Sequence, residues 1–290
     1  MSYENPTIFV SMATGTQGGA LARQLRGLGW NIRATARDLH RPEAKTLQDI
    51  GVHLTPGDWD DEDALPFIGY TANLLDFEAA HRRAQRAVRL ARDAGVTQAI
   101  CTTALGAAML EEGKAPPIPP TPLFAQHFAS KRRVEKAVEE GGFDSWTVLR
   151  PGFFMANFLD PKVRFRYADV PEKGQWANVM TPDMTLGLVD HEYIAKFATA
   201  AFQDPARFNG IRAGLMTEEL PVHEMLDQLA EAIGDGRALK AHFMTDEEID
   251  KPIAEGSWAV FSRERCVRYM DVLANTKELE VLVPGLTTFK

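Results

Sequence analysis

The chain opens with a short strand, a glycine-rich turn and a helix in direct succession. Residues 7–10 form a β-branched, apolar run, and apolar residues then recur at helical spacing as far as Leu28. Between the two, Gly15 and Gly18 stand three residues apart in the turn. Glycine lets a backbone approach a pyrophosphate, and the N-terminus of a helix offers N–H groups and a positive dipole end to the phosphate charge. This opening therefore predicts a dinucleotide-binding turn at the edge of a parallel sheet.

Strands and helices continue to alternate through the first half of the chain. Further strands are predicted over residues 30–36, 52–55, 70–75, 98–102 and 145–149, and helices over 77–94 and 123–140. Alternating strands and helices build a parallel sheet, so we expect an α/β fold, a doubly wound parallel Rossmann sheet with a smaller C-terminal substrate lobe. The NAD(P)-binding Rossmann domain is predicted at residues 1–156. The lobe is predicted at residues 157–290, with helices over 193–202, 222–233 and 261–273.

The overall charge argues against a polyanionic ligand. The 290 residues include 32 basic and 40 acidic side chains, which gives a formal net charge of -8. Such a surface repels nucleic-acid phosphates and anionic lipid headgroups. No apolar run reaches the roughly 20 residues needed to cross a bilayer, and residues 1–6 lack the features of a signal peptide. We therefore expect a cytoplasmic protein that binds neither nucleic acid nor a membrane.

Cysteine and histidine patterns predict no metal site. Cys101 and Cys266 lie too far apart for a metal knuckle and are too few for a disulfide framework. The His-Glu pairs that begin at His191 and His223 lack the second histidine, four residues after the first, that the zinc-protease pattern requires.

Residues 113–122 read GKAPPIPPTP, which predicts a stiff loop because proline has no backbone N–H to donate. The loop follows the predicted strand 98–102, and open α/β sheets bind ligands at the carboxyl ends of their strands. Two roles are compatible with this position: a cover for a substrate, or a connector or docking surface.

Several motifs, in this order and spacing, resemble those of the NmrA-like branch of the atypical short-chain dehydrogenases, which includes isoflavone-reductase-like enzymes. They are ATGTQGG (13–19), ATARD (34–38), GDWDD (57–61), HFASK (127–131), LRPGFFMANF (149–158) and DPARFNG (204–210). The resemblance covers nearly the whole chain and implies NADP(H) as the cofactor. The cofactor-binding residues that it implies are Thr14, Gly15, Gln17, Gly18, Asp58 near the adenine, Thr102, Lys131 and Pro151.

The chain departs from the family pattern in two places. Met12 stands where the family's turn begins with glycine, and a side chain there is expected to crowd the turn or the cofactor. The segment between Asp63 and Phe77 is also shorter than the resemblance implies. Because of these two departures, a protein that has lost the ability to bind the cofactor is an open alternative.

Arg37 follows the second predicted strand. A basic residue at this position neutralises the 2′-phosphate of NADP, whereas an acidic one would bind the ribose hydroxyls of NAD. The residue type therefore favours NADP(H), and the alternative is a solvated surface arginine.

His127 and Lys131 are the candidate catalytic residues. They lie four apart on the predicted helix 123–140 and so share one face. By resemblance to short-chain dehydrogenases, His127 takes the place of the tyrosine in their Tyr-x-x-x-Lys pair, and Lys131 holds the nicotinamide ribose. Histidine transfers protons near neutral pH, but a histidine on a half-buried helix is often only a packed residue. The apolar cluster at residues 153–158 is either core or the lining of an aromatic substrate pocket.

Three functions are compatible with these features. The first is an NADPH-dependent oxidoreductase, a reductase or isomerase that acts on a small aromatic, carbonyl or quinone-like compound. The second is a non-catalytic NADP(H) sensor that acts through a protein partner. The third is a scaffold or catalyst without a cofactor.

Overall fold

The computed structural model describes residues 5–57, 77–111, 113–253 and 263–290. They fall into two compact units. The first unit comprises Met1–Thr103, Ser130–Leu149 and His191–Arg212, and the second comprises Ala104–Ala129, Arg150–Asp190 and Ala213–Lys290. The domain boundary predicted between residues 156 and 157 stays a prediction.

The strands are β1 Thr7–Phe9, β2 Asn31–Ala36, β3 His53–Pro56, β4 Gln98–Thr102, β5 Ser145–Pro151, β6 Phe153–Phe154, β7 Gln175–Asn178, β8 Thr185–Val189, β9 Ile211–Leu215, β10 Glu218–Pro221 and β11 Lys240–Phe243. The helices are α1 Thr16–Gly27, α2 Pro42–Asp49, α3 Phe77–Asp93, α4 Pro122–Glu139, α5 Lys162–Arg166, α6 Asp169–Lys173, α7 His191–Gln203, α8 Pro205–Phe208, α9 Val222–Ile233, α10 Asp246–Asp250 and α11 Thr276–Leu282.

The first unit contains the parallel pairings that the sequence predicts. β1, β2 and β3 form one parallel sheet in that order, with Ile8 opposite Ile32 and Ala34 opposite Leu54. β4 pairs in parallel with β5, and β9 follows β5 in the same sheet. The α/β class with parallel strands is therefore confirmed. The predicted strand 70–75 and Asp58 lie outside the described residues.

Helix α7 packs against α1 within the first unit. Gln24 Nε2 donates to Glu192 Oε2 at 3.0 Å, and Arg23 Nη2 lies 2.6 Å from Glu192 Oε1. The apolar side of α7 is fully buried at Tyr193 and Phe197. The sequence placed this helix in the C-terminal lobe, whereas the structure groups it with β1 and α1.

The second unit has a mixed architecture. β8 pairs with β10 in antiparallel fashion and with β6 in parallel, and β7 pairs in parallel with β11. The helix predicted over 261–273 is wrong for its described part, which forms short 3₁₀ segments at Arg265–Tyr269 and Asp271–Leu273. Cys266 and Leu273 are buried in the core, whereas Val272 is 76% exposed. Within the described residues, no helix combines the length and apolar character needed to cross a membrane.

Candidate functional site

The turn between β1 and α1 closes on the carbonyl group of Met12. The Gly15 N–H donates to the Met12 oxygen at 2.8 Å. A Cβ atom on Gly18 would lie 2.4 Å from that oxygen and 2.8 Å from the Ser11 oxygen. Because these are main-chain atoms, no side-chain rotation relieves the contact. Gly18 is therefore required for the first turn of α1 to pack on the residues before it.

Met12 adopts a backbone conformation that favours glycine. Its φ is +51°, in the left-handed region, where a residue with a Cβ is strained by roughly 1–2 kcal/mol. The side chain is half-buried. The turn thus forms in the shape that a glycine would give it, with methionine in place.

The N-terminus of α1 lies beside the end of β4. Gly15 precedes the helix in an extended conformation, and the first helical turn contains no acidic residue, so no carboxylate there offsets the positive end of the helix dipole. Gln17 Nε2 donates to Thr102 Oγ1 at 2.7 Å. The structure therefore brings Thr14, Gly15, Gln17 and Gly18 together with Thr102, all within the first unit.

Arg37 is exposed just beyond β2. The neighbouring Asp38 accepts a hydrogen bond from the His40 N–H at 2.8 Å, so that carboxylate caps a local turn. In the part of the chain that the structure describes, no ion pair engages the Arg37 guanidinium. A basic group thus stands at the end of the second strand, as the sequence predicts.

The two candidate catalytic residues both lie on α4. His127 is half-buried, and its ring centroid lies 5.7 Å from those of Phe124 and Phe128. Lys131, also half-buried, follows one helical turn later. His127 and Pro151 belong to the second unit and Lys131 to the first. Their catalytic and cofactor-binding roles stay predictions.

The sequence missed a charge network that joins the second half of α4 to Arg212 on β9. Glu135 is fully buried and accepts from Thr103 Oγ1 at 2.6 Å and from Arg132 Nη1 at 3.2 Å. Arg132 also binds Glu139, at 2.6 and 3.1 Å, and Glu139 accepts from Arg212 Nε and Nη2 at 2.7 and 2.8 Å. One sequence signal was available. Glu135 lies between Val134 and Val138 on a helix whose apolar side must face the core.

The Glu139 carboxyl gives a pH-dependent prediction. Burial by itself raises its pKa, but hydrogen bonds from Arg212 and Arg132 lower the pKa from 4.5 to about 2. The ion pairs therefore stabilise the fold above about pH 4.5 and lose their effect as pH falls towards 2. We expect Glu139→Gln to reduce the free energy of unfolding at pH 7 by about 2 kcal/mol, after allowance for solvent screening. Denaturant unfolding of the variant and of the unmodified protein at pH 7 and pH 3 checks this. The difference between their free energies of unfolding should be less than half as large at pH 3 as at pH 7. An equal difference at both pH values would contradict the prediction.

Buried charges in the second unit hold the two ends of the proline-rich loop. Arg150, 2% exposed, donates to Glu111 at 2.7 Å before the loop. Glu264, also 2% exposed, accepts from the Thr121 hydroxyl at the loop's end. Residues 113–121 contain neither helix nor strand, as the sequence predicts. A role in covering a substrate stays a prediction.

The thiol of Cys266 is fully buried. Burial, together with the nearby Glu264 carboxyl, raises the pKa of its thiol to about 12. The thiol therefore stays protonated at neutral pH.

The model of the NmrA-like family matches residues 4–258. The chain belongs to the NmrA-like family. No curated protein sequence matches it. Solved structures similar to it include NmrA, a negative transcriptional regulator, in complex with NADP, at 20% identity and a TM-score of 0.69 over 98% of this chain and 93% of that one.

Two reductases have similar folds. An NADPH-dependent quinone oxidoreductase from Escherichia coli shares 18% identity and a TM-score of 0.65 over 97% of this chain and 96% of that one. A triphenylmethane reductase from Citrobacter sp., complexed with NADP(H), shares 18% identity and a TM-score of 0.66 over 98% and 96%. At these identities the likeness establishes the Rossmann-like fold.

Proposed function

We propose that this protein binds NADP(H) and reduces a small aromatic, carbonyl or quinone-like compound. The observation that carries the proposal is the packing of Gly18 against the Met12 carbonyl at the start of α1, a helix whose first turn has no acidic residue. Such a helix end binds phosphate through main-chain N–H groups and the helix dipole. NADP or NADPH is present in three solved structures of this fold.

The residues of the first unit fit the parts of the cofactor. The turn around Gly15 and Gly18 would hold the pyrophosphate, Arg37 the 2′-phosphate, and Thr102 with Lys131 the nicotinamide ribose. When bound, the reduced cofactor supplies a hydride. His127 would deliver the proton that a reduced carbonyl or quinone oxygen needs, since histidine is the side chain whose ordinary pKa lies nearest to neutral pH.

Arg37 gives a prediction of nucleotide preference. NADPH should bind more tightly than NADH by roughly 1.5–3 kcal/mol, because a guanidinium forms charge-assisted hydrogen bonds with the 2′-phosphate. Arg37→Ala should narrow that difference, measured by calorimetry at one salt concentration. The matched control is Arg33→Ala, since Arg33 is an exposed arginine within β2, the strand that Arg37 follows. Equal affinities of the unmodified protein for the two nucleotides would refute the assignment.

The substrate class rests on two further observations. The side chains of Phe153, Phe158, Tyr167 and Trp176 lie together in the second unit, with ring centroids 5.4–6.1 Å apart. Phe158 and Trp176 are buried in the core of that unit, whereas Phe153 and Tyr167 are half-buried and would be the rings that contact a flat aromatic compound. Relatives of the same fold are named for quinone and triphenylmethane reduction.

A second candidate function is an NADP(H)-binding regulator that acts on a protein partner. It is favoured by the packing of the His127 ring against Phe124 and Phe128, which is typical of a structural histidine, and by the absence of a tyrosine at that position. NmrA, which has a similar fold, is itself a negative transcriptional regulator. A regulator should distinguish oxidised from reduced cofactor and couple that difference to affinity for its partner.

One set of measurements separates these functions. Purified protein is titrated with NADPH, NADP and NADH, and cofactor oxidation is then followed with a panel of quinones, aromatic carbonyls and triphenylmethane dyes. Substrate-dependent oxidation of NADPH supports the reductase. Tight binding without turnover supports the regulator. A protein that binds none of the nucleotides would refute both and support a scaffold or catalyst without a cofactor.

A further inference from the structure

Glu135 is a carboxylate with no place in the proposed chemistry. It is fully buried in α4, one helical turn after Lys131 and on the same face. A buried ionic group is costly to desolvate, and an apolar side chain of similar volume is often equally stable or more so. Packing alone therefore does not require a carboxylate at this position.

The partners of Glu135 tie it to the end of β4. The Thr103 hydroxyl donates a hydrogen bond to it at 2.6 Å. The guanidinium of Arg132 is shared, at 3.2 Å from Glu135 but at 2.6 Å from Glu139. Thr103 is fixed in turn, because its main-chain N–H donates to the Leu149 oxygen at 2.8 Å. The Thr103–Glu135 bond thus joins α4 to a backbone position held by β5.

The same strand end also holds the nucleotide-binding turn. Thr102 accepts the hydrogen bond from Gln17 in the first turn of α1, and consecutive side chains along an extended chain point in opposite directions. Thr102 therefore reaches α1 while Thr103 reaches α4. Two adjacent residues thus form hydrogen bonds with both helices within the first unit.

We infer that Glu135 is a positioning residue for the cofactor. Its bond to Thr103 fixes the rotation and height of α4 against β4, and thereby presents Lys131, one turn away, to the nicotinamide ribose. Glu135 acts through Lys131 and does not touch the cofactor. This inference rests on the proposed binding of NADP(H).

Titration of the full-length protein with NADPH tests the inference. Glu135→Leu and Thr103→Val should each weaken NADPH binding by about tenfold, the effect of losing one hydrogen bond to a charged group. Thr103→Ser, which restores the hydroxyl, should recover most of the affinity that Thr103→Val loses. Glu139→Gln is the matched control: it lies one turn further along the same helix and shares Arg132 but does not contact Thr103. That control should lower stability and leave NADPH affinity within about twofold of the unmodified protein.

A double variant separates positioning from general loss of structure. If Glu135 acts through Lys131, Glu135→Leu combined with Lys131→Ala should bind NADPH no more weakly than Lys131→Ala alone. If the losses of NADPH affinity caused by the two single substitutions multiply in the double variant, the inference is overturned. An unchanged NADPH affinity in folded Glu135→Leu would overturn it as well. If Glu135→Leu does not fold, Thr103→Val and its recovery by Thr103→Ser decide the question. An unmodified protein that binds no NADPH would refute the proposed function itself, whereas normal binding by the variants would refute only the role of Glu135.

Discussion

Replacement of His127 by alanine is expected to lower turnover by about 10²- to 10⁴-fold, the usual loss when a general acid is removed. NADPH affinity should stay nearly unchanged, because His127 is assigned to proton transfer and not to the cofactor. Lys131→Ala should instead weaken NADPH binding. The measurements are steady-state kinetics on a substrate found in the panel above, and calorimetric titration of each variant.

The control for this variant is His223→Ala, since His223 is an exposed histidine on α9. Loss of the contacts with Phe124 and Phe128 will also lower the melting temperature of His127→Ala, so thermal unfolding is measured alongside. Packing loss does not alter the pH dependence of turnover, whereas loss of a general acid does. Full turnover by His127→Ala from about pH 5 to pH 9 would remove His127 from the mechanism.

Gly18→Ala is expected to have the largest effect on the nucleotide-binding turn. The new Cβ would lie 2.4 Å from the Met12 oxygen, so the main chain before α1 must move. We expect a loss of about 1–3 kcal/mol in the free energy of unfolding, the usual effect of overpacking. NADPH affinity should fall by about tenfold or more, because main-chain N–H groups would no longer converge on the pyrophosphate. Denaturant unfolding and NADPH titration measure the two effects.

Two other substitutions in the same region calibrate this result. At Gly27, the last residue of α1, an added methyl group would meet no atom within 4 Å, so Gly27→Ala should be neutral or stabilise the protein by up to about 1 kcal/mol. Met12→Gly removes the left-handed strain but adds backbone freedom to the unfolded chain, so its net gain should not exceed about 1 kcal/mol. It should leave NADPH affinity unchanged or tighter. A Gly18→Ala variant that binds NADPH as tightly as the unmodified protein would show that the pyrophosphate does not lie at this turn.

Local patterns predicted several elements of both units well. The strand 98–102 and the helix 222–233 have the predicted bounds, and α4 begins and ends within one residue of them. These elements have strong hydrophobic periodicity and clear capping or proline signals, which depend on residues close in sequence. The strands β6 to β11 were not predicted, because each contains only two to five residues and forms by pairing with a strand distant in sequence.

The candidate site also has some features that the sequence predicts and others that only the structure shows. The turn at residues 11–19, the basic Arg37 and the spacing of His127 and Lys131 are all visible in the sequence, because each depends on residue type at a fixed local offset. The left-handed conformation of Met12 is not visible there, since methionine has no preference for it and the closed turn, in which the Gly15 N–H donates to the Met12 oxygen, is a feature of the folded chain.

What the sequence by itself determined is the α/β class, the position of the glycine-rich turn between β1 and α1, and the family. Tertiary structure alone decided that α7 packs on α1, that Gln17 reaches Thr102, and that Thr103 meets the buried Glu135. These contacts join residues 32 to 168 positions apart. These contacts form only when folding brings the polar groups together, and the spacing of residues along the sequence does not determine which groups pair.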